Sequence, residues 1–219
     1  PLPEQRKIAE ILTTWDDALA LLDRRIELAR RRKKGLMQRL LTGRVRFPEF
    51  EGEAWRATRL GEFFEEFCER NRENRDLTVL SCSTVYGIVP QEFIFSRRIA
   101  SDNTERYKVV RRGDVVYDPM LLWDTSIGFV DSVDEGIVSP AYTTLRFVGR
   151  EGDPRYFRHA IKTHYLREHY KFISQGTNVR RRKAPVEAFL KLEINAPSLA
   201  EQRRIAEVLQ TCDEEIALL

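Results

Sequence analysis

The strongest constraint in the sequence is a repeat that stands at its two ends. Leu2-Pro3-Glu4-Gln5-Arg6-Lys7-Ile8-Ala9-Glu10-Ile11-Leu12 returns as Leu199-Ala200-Glu201-Gln202-Arg203-Arg204-Ile205-Ala206-Glu207-Val208-Leu209, and the likeness runs on to Ala20-Leu21-Leu22 and Ala217-Leu218-Leu219. Repeated segments report repeated structural units. In the first copy Ile8, Leu12, Trp15, Leu19, Leu22, Ile26, Ala29, Leu36 and Leu40 alternate in steps of four and three, with Lys33 the one polar member. A seam with a period of about 3.5 residues, held for about four heptads, predicts a coiled-coil helix roughly 55 to 60 Å long. Thr42-Gly43 supplies its stop. The second copy carries Ile205, Leu209, Cys212, Ile216 and Leu219 on the same phase and is read as the start of a second helix, truncated relative to its twin. Facing each other, the two seams bury surface that neither covers alone, so an antiparallel pair is expected.

Between the copies the pattern changes. Residues 44–54, with Phe47-Pro48-Glu49-Phe50-Glu51-Gly52, read as an extended linker, because proline fixes its own backbone and restricts the residue before it. Strand-like runs follow at Leu77–Ser83, Tyr107–Val110, Val115–Tyr117, Ile127–Val133 and Thr143–Val148, separated by Gly, Asp, Pro and Asn clusters. Asp153-Pro154 then opens a helix whose apolar positions Phe157, Ile161, Tyr165 and Phe172 lead to a stop at Gly176. The expected class is α+β: a mixed α/β domain over residues 55–195, after a long helix (1–43) and linker (44–54) and before a second helix (196–219).

Basic charge is clustered even though the formal net charge is only +3. Arg30-Arg31-Arg32-Lys33-Lys34 and Arg180-Arg181-Arg182-Lys183 have the density that tracks phosphate. The second run follows Ser174-Gln175-Gly176-Thr177-Asn178, a glycine break with amide and hydroxyl side chains. Cations there would bind the DNA backbone, while Gln175, Asn178 or an arginine could reach base edges, amides pairing with adenine and guanidinium with guanine. The alternative is a solvated surface loop.

Other chemistries lack their residues. His159, His164 and His169 recur every five positions, which spreads them around a helix and leaves no metal pair at i, i+4. Cys68, Cys82 and Cys212 show no C-x-x-C spacing and are read as packing residues. No nucleotide-binding glycine loop and no Glu-x-Lys nuclease pair occurs. Asp118-Pro119-Met120-Leu121 resembles the Asp-Pro-Pro-Tyr motif of adenine methyltransferases only in outline, lacking its second proline and stacking aromatic. No charged segment followed by an apolar stretch opens the sequence, so no secretory signal or membrane anchor is visible and a cytoplasmic fragment is expected.

The order of a Leu-x-Glu-Gln-x-x-Ile-Ala helix, a heptad helix ending Leu36-Met37-Gln38-Arg39-Leu40-Leu41-Thr42-Gly43, and Phe47-Pro48 resembles type I restriction-modification specificity subunits. Within the domain, Tyr86-Gly87-Ile88-Val89-Pro90-Gln91, Arg112-Gly113-Asp114, Gly136-Ile137-Val138-Ser139-Pro140-Ala141-Tyr142 and Ser174-Gln175-Gly176-Thr177 also look like that family's target-recognition domains. The resemblance implies a non-catalytic chain: a central spacer helix, the second recognition domain and the start of the second spacer helix. It implies double-stranded DNA, modification (methyltransferase) subunits and restriction subunits as partners, with no membrane. It leaves S-adenosylmethionine, ATP and Mg to those partners, with no cofactor in this chain. The implied DNA-contacting residues are Tyr86, Gly87, Gln91, Arg97, Arg98, Gln175, Gly176, Thr177, Asn178, Arg180, Arg181, Arg182 and Lys183. The implied coiled-coil and partner-binding residues are Ile8, Leu12, Trp15, Leu19, Leu22, Ile26, Leu36, Leu40, Ile205, Leu209 and Ile216. The alternative is a coiled-coil scaffold, or a half-subunit that forms a homodimer, without independent DNA reading.

Overall fold

In the computed structural model, which describes residues 1–96, 99–174, 176 and 183–219, the chain opens with α1 (Leu2–Leu40). There follow β1 (Arg56–Arg59), β2 (Phe64–Glu66), β3 (Val79–Ser83), β4 (Gly87–Pro90), the single turn α2 (Gln91–Ile94), β5 (Lys108–Arg111), β6 (Val115–Tyr117), β7 (Ile127–Phe129), β8 (Glu135–Val138) and β9 (Thr143–Phe147). The chain closes with α3 (Pro154–Ala160), α4 (His164–Ile173), α5 (Val186–Leu190), β10 (Glu193–Ala196) and α6 (Leu199–Ala217). The class is α+β, with long helices at both ends of the sequence. Two units divide the chain: residues 1–48 with 204–219, and residues 49–203.

In the first unit α1 begins with prolines, whose fixed backbone suits a first turn. It ends where Leu41 and Thr42 close back on Met37 and Gln38 and Gly43 turns left-handed at φ 68°. Arg32 pairs with Glu215, Lys33 pairs with Asp213, and the Arg204 guanidinium lies 5.4 Å from the Phe47 ring centre. Rising numbers along one segment thus meet falling numbers along the other, so the two run antiparallel. On α6, Ile205, Leu209 and Cys212 are buried and Ile216 is half-buried; on α1, Ala29 and Leu40 are buried and Leu22, Ile26, Lys33 and Leu36 half-buried. Each large aliphatic side chain fully covered contributes about 1.5–3 kcal/mol, and the half-buried ones less. The N-terminal half of the α1 seam differs: Ile8, Leu12, Trp15 and Leu19 are 51%, 58%, 66% and 57% exposed. Within this chain the expected pairing therefore covers only the later part of α1.

The second unit is built on two four-stranded sheets. One has the order β2-β9-β6-β7, antiparallel throughout; the other has the order β4-β3-β8-β5, in which β3 and β8 run parallel. Alternate residues of a strand point to opposite faces. Val116 joins Leu80, Cys82, Ile88, Val110, Val130 and Val138 in one apolar cluster between the sheets, while its neighbour Tyr117 stacks on Phe189 of α5 at 5.3 Å. The helix side is aromatic: Phe63 lies 4.2 Å from Phe157, and Tyr170 stacks on Phe189 at 5.9 Å. A separate two-stranded sheet pairs β1 with β10, bringing the start of the unit to its end. The single helix expected from Asp153 to Gly176 is two helices, because α3 stops at Ala160 and the Thr163 hydroxyl caps α4 through the N–H of Leu166. Cys82 and Cys212 are buried as expected; Cys68 is exposed and is not a packing residue.

Candidate nucleic-acid interface

Two connections of the second unit, and the residue that follows the basic run, meet at one end of its sheets. The β3–β4 turn, residues 84–86, is held by the Ser83 hydroxyl, which accepts the N–H groups of Val85 (3.2 Å) and Tyr86 (3.1 Å). Gly87 completes it at φ 75°, a conformation costly for any side chain. The β6–β7 connection lies alongside, because the Ser126 hydroxyl donates to the Cys82 carbonyl at 3.1 Å. The segment after the basic run is tied to the same connection: the N–H of Ala184 donates to the Pro119 carbonyl (2.9 Å), and the Tyr117 hydroxyl to the Ala184 carbonyl (3.4 Å). Ahead of the run, the buried Ser174 hydroxyl donates to the Tyr170 carbonyl at 2.6 Å.

This end is apolar and cationic at its surface. Val85 is 77% exposed and Tyr86 60%, and the Tyr86 ring meets exposed Phe93 edge-on at 5.2 Å. Lys162 reaches the turn, since a Cβ added at Gly87 would lie 3.6 Å from its Nζ. Arg167 pairs with Asp124 of the β6–β7 connection at 3.0 Å. Beneath, burial raises the Asp118 carboxyl, whose oxygen accepts the Met120 N–H at 2.9 Å, and pushes the Cys82 thiol up to about 11. Asp118 holds a turn, its carbonyl also accepting the Leu121 N–H at 3.0 Å.

Of the expected DNA-contacting residues, Tyr86 and Gly87 stand in this turn, exposed Gly176 precedes the basic run and exposed Lys183 ends it. Arg97, Arg98, Gln175, Thr177, Asn178, Arg180, Arg181 and Arg182 lie outside the described residues. Gln91 is placed elsewhere, at the far end of β4, where it lines a cavity of about 310 Å³ with Asp76, Leu77, Thr78 and Phe95. Its carboxamide oxygen accepts the N–H groups of Ile99 (3.1 Å) and Ala100 (3.0 Å), folding that loop back. Sequence reasoning passed over Lys162 and the Tyr86–Phe93 pair. Three members of the first basic run pair with carboxylates of the helices: Arg31 with Glu27, Arg32 with Glu215 and Lys33 with Asp213. Among the described residues no group of three or more His, Cys, Asp or Glu is arranged to hold a metal, and no helix is long and apolar enough to cross a membrane.

No family model matches the chain. The type I restriction enzyme MjaVIII specificity subunit of Methanocaldococcus jannaschii is 23% identical over 248 aligned residues, covering 100% of this chain and 55% of the relative. The crystal structure of the HsdS subunit from Thermoanaerobacter tengcongensis shares the fold over 100% of this chain and 52% of its own, with a TM-score of 0.54 at 20% identity. The type I restriction-modification S subunit from M. genitalium does so over 98% of this chain and 55% of its own, with a TM-score of 0.59 at 15% identity. The chain thus spans about half the length of the relatives it matches.

Proposed function

From its likeness, end to end, to type I restriction enzyme specificity subunits, we propose that this chain is the DNA-recognition part of such a subunit. In this reading residues 1–43 are a spacer helix, 44–54 a linker, 55–195 a target-recognition domain and 196–219 the start of a second spacer helix. The domain reads one half of a bipartite site on double-stranded DNA. The helices fix the spacing of the halves and scaffold methyltransferase and restriction subunits, which supply the chemistry with S-adenosylmethionine, ATP and Mg in the cytoplasm; the chain itself is not catalytic. The observation that carries the reading is the match to a specificity subunit over 100% of this chain and 55% of the relative. The convergence of the β3–β4 turn, Lys162, Lys183 and the flanks of the basic run on one end of the domain supports a DNA surface there, cations holding phosphate and the exposed turn facing the groove.

The test is selection from a randomised duplex library by the chain assembled with its modification subunit, at a stated salt concentration, followed by sequencing of the retained DNA. Enrichment of a short motif is expected. Retention without enrichment would favour the second reading, a scaffold or dimerising half-subunit. That reading draws on the exposed Ile8, Leu12, Trp15 and Leu19, a stripe suited to a partner helix.

A further inference from the structure

The two copies of the terminal repeat differ in what their Glu-Gln pair does. In the second copy Glu201 and Gln202 are each 1% exposed. A Glu201 carboxylate oxygen accepts the indole N–H of Trp55 at 2.9 Å. The Gln202 Oε1 accepts the backbone N–H of Asp153 at 2.9 Å, and its Nε2 donates to the carbonyls of Pro197 (2.9 Å) and Glu151 (3.2 Å). One carboxamide thus closes backbone groups from two segments, the turn that caps α3 and the exit of β10. In the first copy Glu4 and Gln5 are exposed, and α1 is helical there all the same. The pair is therefore no requirement of the helix.

We infer that Glu201 and Gln202 are positioning residues, a latch that holds the first turn of α6 within the recognition domain. Residues 199–203 belong to the second unit, so the latch lies wholly inside it. An apolar side chain of equal volume at position 202 would leave three backbone groups without their partner, so hydrogen bonding rather than packing selects glutamine. Only what the latch serves rests on the proposed function: loops that read bases need a support whose parts do not shift.

The test is hydrogen–deuterium exchange on the full chain, comparing Gln202→Met with Gln5→Met, the same change in the same local sequence. Gln202→Met should lower protection of the Asp153 amide and of residues 199–203 by about two- to tenfold, the worth of one net hydrogen bond, while Gln5→Met changes neither. Equal effects at both positions, or no effect at 202, would overturn the latch. Gln202→Glu separates hydrogen bonding from packing. Its carboxylate keeps the bond from Asp153 but faces two carbonyl oxygens, so its deficit against the wild type should shrink as the pH falls and the new acid gains a proton to donate. A deficit that does not change with pH would also overturn the proposal. Neither readout involves DNA, so the latch can fail while the recognition reading stands, and the reverse.

Discussion

Asp153, 5% exposed at the head of α3, accepts the backbone N–H of Arg155 at 2.8 Å and that residue's guanidinium at 2.8 and 3.1 Å. Burial raises this carboxyl, but the bonds from Arg155 together outweigh it and leave the acid below its ordinary value of 3.8. A group whose folded pKa is depressed contributes stability that is complete above its unfolded pKa and is lost as pH falls through the folded one. Asp153→Asn keeps a capping oxygen and loses the charge, so it should cost about 1 kcal/mol at neutral pH and flatten the acid limb below the ordinary aspartate range. Urea unfolding between pH 7 and 3 measures this; equal acid sensitivity in variant and wild type would contradict it. At this scale the sequence was partly legible. The Asp-Pro pair announced the cap, because capping is local chemistry. The job of Gln91 was hidden, since its oxygen meets N–H groups of Ile99 and Ala100 that only the folded loop returns to it.

Helix α1 and helix α6 open on closely similar sequences in two environments, which largely separates burial from composition. Leu209 is fully buried, and its counterpart Leu12 is 58% exposed. Leu209→Ala should cost about 2–5 kcal/mol and Leu12→Ala within about 0.5 kcal/mol, measured by urea unfolding of the two variants side by side. Comparable costs would mean that Leu12 is covered in solution. The helix and its stop at Gly43 were legible because a 3.5-residue period repeats often enough to stand out. Strands β1, β2, β4, β8 and β10 were not, since runs of three or four residues give alternation no room; β5, β6 and β7 are as short but were marked by consecutive β-branched and aromatic residues, Val109-Val110, Val115-Val116-Tyr117 and Ile127 with Phe129-Val130. Strand β8 contains Gly136, and β4 begins with Gly87 and ends with Pro90, residues that read as turn signals.

For the molecule as a whole, the order of terminal repeat, long helix, strand-bearing unit and second repeat could be read from the sequence because a repeat is visible without any knowledge of tertiary pairing. The sheet order could not: β3 pairs in parallel with β8, joining residues 79–80 to 137–138 across several other strands. The composition of the basic run was equally plain, but which surface its flanks occupy depends on the bond from Ala184 to Pro119. If that run meets phosphate, alanine at Arg180, Arg181 and Arg182 in the assembled complex should weaken binding of the selected duplex. It should also flatten the dependence of log affinity on log salt by about 0.9 for each phosphate no longer neutralised. Unchanged affinity and slope would remove the segment from the interface.

The open stretch of the α1 seam also has an optical consequence. Of the three tryptophans, Trp15 is 66% exposed, whereas Trp55 and Trp123 are half-buried. Its indole stands midway along the uncovered leucines and isoleucines, so a soluble quencher reaches it first and its emission sits furthest to the red. Whatever partner comes to lie along that face must shield this ring, which turns one native side chain into a label-free gauge of assembly.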